Sequence, residues 1–249
     1  IHLEGPHLSV ARKGAHDPNL IRKMTDDDLA LLLKAAETLP NVMVTVAPET
    51  TSNAQIKTMA DAGIIVSLGH TDADYQTCIG AFDAGARCVT HLFNAMSGLH
   101  HREPGLAAWA LLEPKICASI IADGVHVSPE LVSLSFAAEA GGMVLVTDSV
   151  AWRSGIAGEI KMSVVDGAAR LADGTLAGST ITMPDAIKFC VHQADVPLPL
   201  VLQAATATPS RLLRQNDRGV IMSGCRADIT ALTDDLDVAA VWVSGQQVR

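Results

Sequence analysis

Two short apolar runs, each ending on a histidine, constrain this 249-residue chain more than any other feature. The first is Ile64-Ile65-Val66-Ser67-Leu68-Gly69-His70, and the second is Cys88-Val89-Thr90-His91-Leu92-Phe93-Asn94-Ala95-Met96. β-Branched residues dominate the first run, as strands favour. Between the runs, Tyr75 to Ala84 reads as a helix and Ala84-Gly85-Ala86 as a turn. Strand, helix and strand within about thirty residues make a βαβ unit, whose two strands lie parallel. His70 and His91 are therefore expected at the carboxyl ends of neighbouring strands, the edge where parallel α/β folds gather ligands. A lone histidine there more often caps a strand or packs, but two with the same placement favour metal ligation.

The bulk numbers fit an enzyme-sized α/β chain. Nearly half the residues are hydrophobic (49%) and only 3% aromatic, which suits a core of small branched side chains. The net charge is −9 with no cluster of lysine or arginine, so a nucleic-acid or anionic-membrane partner is not expected. Cys78, Cys88, Cys117, Cys190 and Cys225 are scattered and show no CxxC spacing, which points to reduced buried thiols and a cytoplasmic location. No apolar run approaches the roughly 20 residues that span a bilayer. The chain opens on Ile1, inside an apolar run, and an N-terminal portion is expected to be missing.

Taken in order, Ile1-His2-Leu3-Glu4 reads as a strand closed by Gly5-Pro6, which puts Glu4 at another strand end. Ala11 to His16 has neither helical nor strand period, and His16 reads by default as a solvated loop residue. Thr25, with Asp26 to Asp28 behind it, marks a helix start, and Leu29, Leu32, Leu33 and Ala36 give its buried stripe. Val42 to Val46 is the next strand, after which Glu49 is either a cap or a catalytic acid. Asn53 to Ala62 is a further helix. Beyond Met96, a polar loop holds His100, His101 and Arg102. Leu106 to Leu112 is a helix, and the strand Ile116 to Ile121 is followed by His126. Ser128-Pro129 opens another helix, and Met143 to Thr147 is an apolar strand that terminates in Asp148. Trp152 to Gly155 does not continue as a helix, which argues against Asp148 being a mere cap.

From Gly158 the character changes, with a hairpin about Asp166-Gly167. Gly174 to Ser179 leads into a helix from Met183 to Gln193, further helices cover Pro199 to Ala207 and start at Pro209, and short strands fill Gly219 to Arg249. Strands at 1–4, 42–46, 64–69, 88–91, 116–121 and 143–147 give six parallel β units, as in a (β/α)8 TIM-type barrel lacking its first strands, joined to a small β-sandwich domain. The expected division assigns 1–157 and roughly 174–218 to the partial barrel, and 158–173 and 219–249 to an insertion and the small β domain.

Eight motifs now stand in order: HLEGP, KGAH, SLGH, THLFNAM, REPG, ADGVHV, LVTD and LAGS. Together they resemble the N-acetylglucosamine-6-phosphate deacetylases of the amidohydrolase superfamily over nearly the whole chain. The resemblance implies a metal-dependent carbon–nitrogen hydrolase of amino-sugar catabolism. Glu4, His70 and His91 match the family's ligands of a divalent metal, and Asp148 its catalytic acid/base. Ala15 and His16, Asn94 and Ala95, His126 and Leu176 match its substrate contacts, which revises the solvated default for His16. Arg102 matches its phosphate-binding arginine, which reaches across a homodimer interface. Family members carry further site residues after the first barrel strand, usually a His-x-His pair, and the chain has no such strand, so one ion and two both stay open.

These residue types suit amide hydrolysis. Two imidazoles and a carboxylate leave a divalent ion positively charged with an open position, able to acidify water; Zn²⁺ fits best, and Fe²⁺, Mn²⁺ or Co²⁺ also fit. Three other readings compete. One keeps the site but changes the substrate to N-acetylgalactosamine 6-phosphate or another N-acyl amino sugar. One is a dihydroorotase or urease relative, disfavoured because no lysine stands at a strand end. The last is a non-catalytic binding protein or an inactive truncated fragment.

Overall fold

The computed structural model describes residues 1–139, 141–150, 156–157 and 160–249. The expected non-helical run 152–155 and the expected domain boundary at 157/158 fall wholly or partly outside them. Strands and helices alternate through the first part: β1 (His2–Glu4), α1 (Asp26–Thr38), β2 (Met43–Val46), α2 (Asn53–Asp61), β3 (Ile65–Leu68), α3 (Tyr75–Ala84) and β4 (Cys88–Val89). They continue with α4 (Leu106–Ala110), β5 (Cys117–Ile121), α5 (Pro129–Ala138) and β6 (Met143–Val146).

Local chemistry sets the helix starts. Thr25 and Asp28 form a reciprocal capping box on α1, and Ser52 and Gln55 do the same on α2. Asp74 accepts the Thr77 N–H at 2.8 Å to cap α3, and Pro129 opens α5 where no N–H is needed.

The six strands form one parallel sheet in the order β1-β2-β3-β4-β5-β6. Every residue of β2 and β3 is buried, as expected of strands covered on both faces. A flat sheet would separate its edge strands by roughly 24 Å at about 4.8 Å per step. Yet Glu4 at the end of β1 and Asp148 just beyond β6 line one cavity, so the sheet is curled as part of a barrel.

Its interior includes a polar layer. His2 Nε2 is hydrogen-bonded to the Thr45 hydroxyl at 2.8 Å, Thr45 to Thr90 at 2.7 Å and Ser67 to Thr90 at 2.6 Å, so these buried hydroxyls have partners.

Beyond β6 come the antiparallel pair β7 (Ile156–Ala157) and β8 (Ile160–Lys161), then β9 (Ser163–Val165), β10 (Ala168–Arg170) and β11 (Leu176–Ser179). The expected hairpin is β9–β10, turned by Asp166 and Gly167, both with positive φ (49° and 80°) as a two-residue turn of the I′ kind requires. Gly174 to Ser179 is not simply a lead-in to the next helix: its second part is β11, antiparallel to β10.

Three helices follow, α6 (Met183–His192), α7 (Leu198–Ala205) and α8 (Ala207–Leu212), and then a separate antiparallel sheet of β12 (Ile229–Leu232), β13 (Val238–Val243) and β14 (Gln246–Gln247). Leu212 and Leu213 pack on Met43, Ile65 and Cys88 at the amino ends of β2 to β4, which closes the floor of the sheet. The opposite, carboxyl-end rim carries the site. Among the described residues, no helix is long and apolar enough to cross a membrane.

Candidate metal centre and active-site cavity

Three side chains far apart in the sequence meet at the carboxyl-end rim. Glu4 is the last residue of β1, while His70 and His91 each follow the last strand residue by two positions. His91 Nε2 lies 2.9 Å from Glu4 Oε1, His70 Nε2 lies 3.3 Å from the same oxygen, and the two Nε2 atoms are 3.0 Å apart. His70, His91 and Asp148 all adopt positive φ (47°, 36° and 48°), a strain of roughly 1–3 kcal/mol each that the surrounding structure has to hold.

The donor set fits a divalent cation. His70 Nδ1 donates to the Arg12 carbonyl at 2.8 Å, which leaves Nε2 of the neutral ring as a lone pair. His91 Nδ1 is buried without a hydrogen-bond partner, so no contact on that side fixes its proton. One shared hydrogen at most can sit among Glu4 Oε1 and the two Nε2 atoms when the rings are neutral, and a cation relieves the remaining lone-pair repulsion. These three ligand atoms all lie within 4.8 Å of one another. Burial alone would raise the Glu4 pKa, but the His70 and His91 contacts hold it far below the usual carboxylate range. Burial disfavours a charged His91, yet the Glu4 carboxylate more than offsets this and its pKa is raised.

A surrounding frame holds His70 in place. The Ser9 N–H donates to the His70 carbonyl at 2.8 Å, and the Arg12 guanidinium pairs with Asp72 at 2.7 Å. Glu49 accepts the Thr71 hydroxyl and the Asp72 N–H, while the α2 cap is Ser52. Glu49 is thus a clamp on the loop after His70. The segment predicted as irregular contains a single helical turn of the 3-10 type, Val10–Arg12, which aims the Arg12 carbonyl at His70. Gly14 has φ +56°, and a Cβ there would stand 3.1 Å from His70 Cε1. His16 is half-buried with its ring edge-on to His70, centroids 4.7 Å apart. Burial and the neighbouring His70 lower its pKa.

Asp148 is pinned from behind. Its carbonyl accepts the Ser179 N–H at 2.9 Å, and Ser179 Oγ donates to the Thr147 carbonyl. Gly178, at φ +112°, lets β11 come this close, because a Cβ would lie 2.7 Å from the Asp148 carbonyl oxygen.

A cavity of about 510 Å³ opens over these groups. It is lined by Glu4, His70, His91 and Asp148 together with the expected contacts Ala15, His16, Asn94, Ala95, His126 and Leu176. Arg102 does not line it, but sits in an exposed loop with His100 and His101. Arg12, Val150 and Met162 also line the cavity and were not anticipated. Neither were the supporting roles of Glu49 and Asp72. Their signal was weak: each is a charged residue in a loop after a strand, a pattern shared with solvated residues.

The sequence matches the amidohydrolase family over residues 1–248. The N-acetylgalactosamine-6-phosphate deacetylase of Shewanella sp. (strain ANA-3) is 38% identical over 254 residues, covering 99% of this chain and 64% of the relative. The N-acetylglucosamine-6-phosphate deacetylase of Danio rerio is 35% identical, covering 100% of this chain and 65% of the relative. The crystal structure of a mutant N-acetyl-D-glucosamine-6-phosphate deacetylase from Mycobacterium smegmatis, in complex with N-acetyl-D-glucosamine-6-phosphate, superposes with a TM-score of 0.91 at 37% identity, covering 99% of this chain and 68% of that one. The chain thus spans about two thirds of the length of these relatives. With the family matched from one end of the sequence to the other, on a curled parallel sheet whose rim gathers two histidines and an acid, this chain belongs to the amidohydrolase family.

Proposed function

We propose that the protein removes the acetyl group from an N-acetylhexosamine 6-phosphate, with N-acetyl-D-glucosamine 6-phosphate as substrate and glucosamine 6-phosphate and acetate as products. The observation that carries this is the convergence of Glu4, His70, His91 and Asp148 on one cavity that His16, Asn94 and His126 also line. Glu4, His70 and His91 are the residues that would hold a divalent cation, Zn²⁺ foremost. When bound, it supplies Lewis acidity toward water and the amide carbonyl.

The remaining work falls to the chain's own groups. Asp148 accepts the proton of the attacking water at a carboxylate oxygen and returns it to the departing sugar nitrogen, work of roughly 10²- to 10⁴-fold. His126, in the cavity wall, holds the acetamido group so that its carbonyl meets the attacking water. His16, Ala15, Asn94, Ala95 and Leu176 orient the sugar, so that the amide meets Asp148. Arg102, exposed and away from its own chain's cavity, serves the neighbouring subunit of a homodimer, where its planar fork fits phosphate oxygens. The domain division at 157/158 with the small β domain at the C-terminus, a cytoplasmic location and a place in amino-sugar catabolism belong to the same reading.

A second substrate has a specific observation in its favour: the 38% identical Shewanella relative and a 34% identical Escherichia coli relative are both N-acetylgalactosamine-6-phosphate deacetylases. Acetate release from both 6-phosphates, with and without added Zn²⁺, tests the proposal. Metal-dependent release from the gluco epimer is expected. Preference for the galacto epimer moves the assignment to the second substrate, and no release from either overturns both.

A further inference from the structure

Beyond β5 the chain turns through Asp123-Gly124-Val125-His126, and one carboxylate organises that turn. Asp123 Oδ1 accepts the N–H groups of Val125 at 2.9 Å and His126 at 2.7 Å. Its other oxygen, Oδ2, lies 2.6 Å from His126 Nδ1, with both side chains almost wholly buried (1% and 4% exposed). Burial alone would raise the Asp123 pKa, but the His126 ring and the two backbone N–H groups hold it below the usual carboxylate range.

Local turn formation accounts for Oδ1, since both backbone donors go there. It does not account for Oδ2, whose partner is a ring nitrogen of a cavity-lining residue. An ionised carboxylate can only accept, so the hydrogen between them sits on Nδ1. The protonated nitrogen of a histidine is set by the partner of the other ring nitrogen.

We propose that Asp123 is a positioning residue for the deacetylation: it locks His126 with Nδ1 protonated and presents the lone pair of Nε2 to the substrate's acetamido N–H. This rests on the deacetylase reading given above. Asp123 touches no substrate itself and acts through the His126 ring. Without it the ring is free to rotate and to exchange tautomers, and the cavity that Asp148 also lines loses a fixed group.

The test is the Asp123→Asn variant of the chain. Its Oδ1 still accepts the two backbone N–H groups, but its Nδ2 now donates to His126 Nδ1, which inverts the tautomer. Ring ¹⁵N NMR of the wild type is expected to show the proton on His126 Nδ1 and none on Nε2. The variant is expected to carry the proton on Nε2. With bound Zn²⁺ unchanged by elemental analysis, kcat for acetate release should fall on the order of 10²-fold while KM changes by less than about threefold.

A wild-type proton on Nε2 overturns the proposal, and so does a variant whose tautomer and kcat both match wild type. If the variant fails to fold, the wild-type spectrum alone decides in the same way. The NMR arm needs no turnover: wild type that releases no acetate counts against the deacetylase reading, whereas the ring tautomer still reports on Asp123.

Discussion

The Nε2 atoms of His70 and His91 lie 3.0 Å apart, and each is within 3.3 Å of the same oxygen of Glu4. With His70 Nδ1 donating to the Arg12 carbonyl, this geometry is that of ligands around a shared cation. Purified chain should bind Zn²⁺ at this site, and His91→Ala or Glu4→Gln should lose it by elemental analysis. A cation at about 100 times its Kd adds roughly 2.7 kcal/mol to stability, on the order of 5–10 °C in Tm for a chain of this size. A wild-type Tm unmoved by Zn²⁺, Fe²⁺, Mn²⁺ or Co²⁺ would sink the cation assignment.

Asp148→Asn keeps the side-chain shape but removes the carboxylate that the proposed mechanism uses as base. Acetate release should fall roughly 10²- to 10⁴-fold with Zn²⁺ content unchanged. Retention of more than about a tenth of wild-type kcat would remove Asp148 from the proton path.

Gly178→Ala should mimic part of that loss from a distance. The new Cβ meets the Asp148 carbonyl oxygen at 2.7 Å, and φ +112° is costly for any residue with a side chain. A destabilisation of about 1–3 kcal/mol is expected in denaturant titration, with lower kcat and normal Zn²⁺ binding. Unaltered stability would mean that β11 does not press on Asp148.

Arg102→Ala should raise KM for the 6-phosphorylated sugar far more than for its unphosphorylated counterpart. Equal losses on the two substrates would take the phosphate away from Arg102.

Burial pushes the thiols of Cys78, Cys88 and Cys190 up to about 12. The reactive thiolate is therefore scarce in the folded protein at pH 8, and moving from pH 7 to 9 leaves these residues mainly thiol. A disulfide-exchange reagent at pH 8 should label all three only after denaturation, and fast labelling of any of them in the native chain would contradict this packing.

Much of the architecture was legible because it is local. The helix over Tyr75 to Ala84 follows from its spacing and from the Gly85 that ends it, and the α1 start follows from Thr25 and the three aspartates behind it. The strand-end positions of Glu4, His70 and His91 follow from apolar runs that stop. Gly174 to Ser179 misled because β11 is defined by its partner β10 and by the Asp148 carbonyl, neither of which its own residues announce. His16 misled for a related reason: nothing in a polar loop shows that its ring will lie against His70.

By itself, the sequence determined the alternation of strands and helices and the rim on which the polar residues would stand, since period, caps and turns act over a few residues. Only the tertiary structure decided that Glu4 meets a histidine 87 residues away and that Arg12 fixes the His70 tautomer across 58 residues. Those contacts depend on how far the sheet curls and on which backbone atoms are left over at strand ends, quantities that the summed packing of the whole core sets and no short stretch encodes.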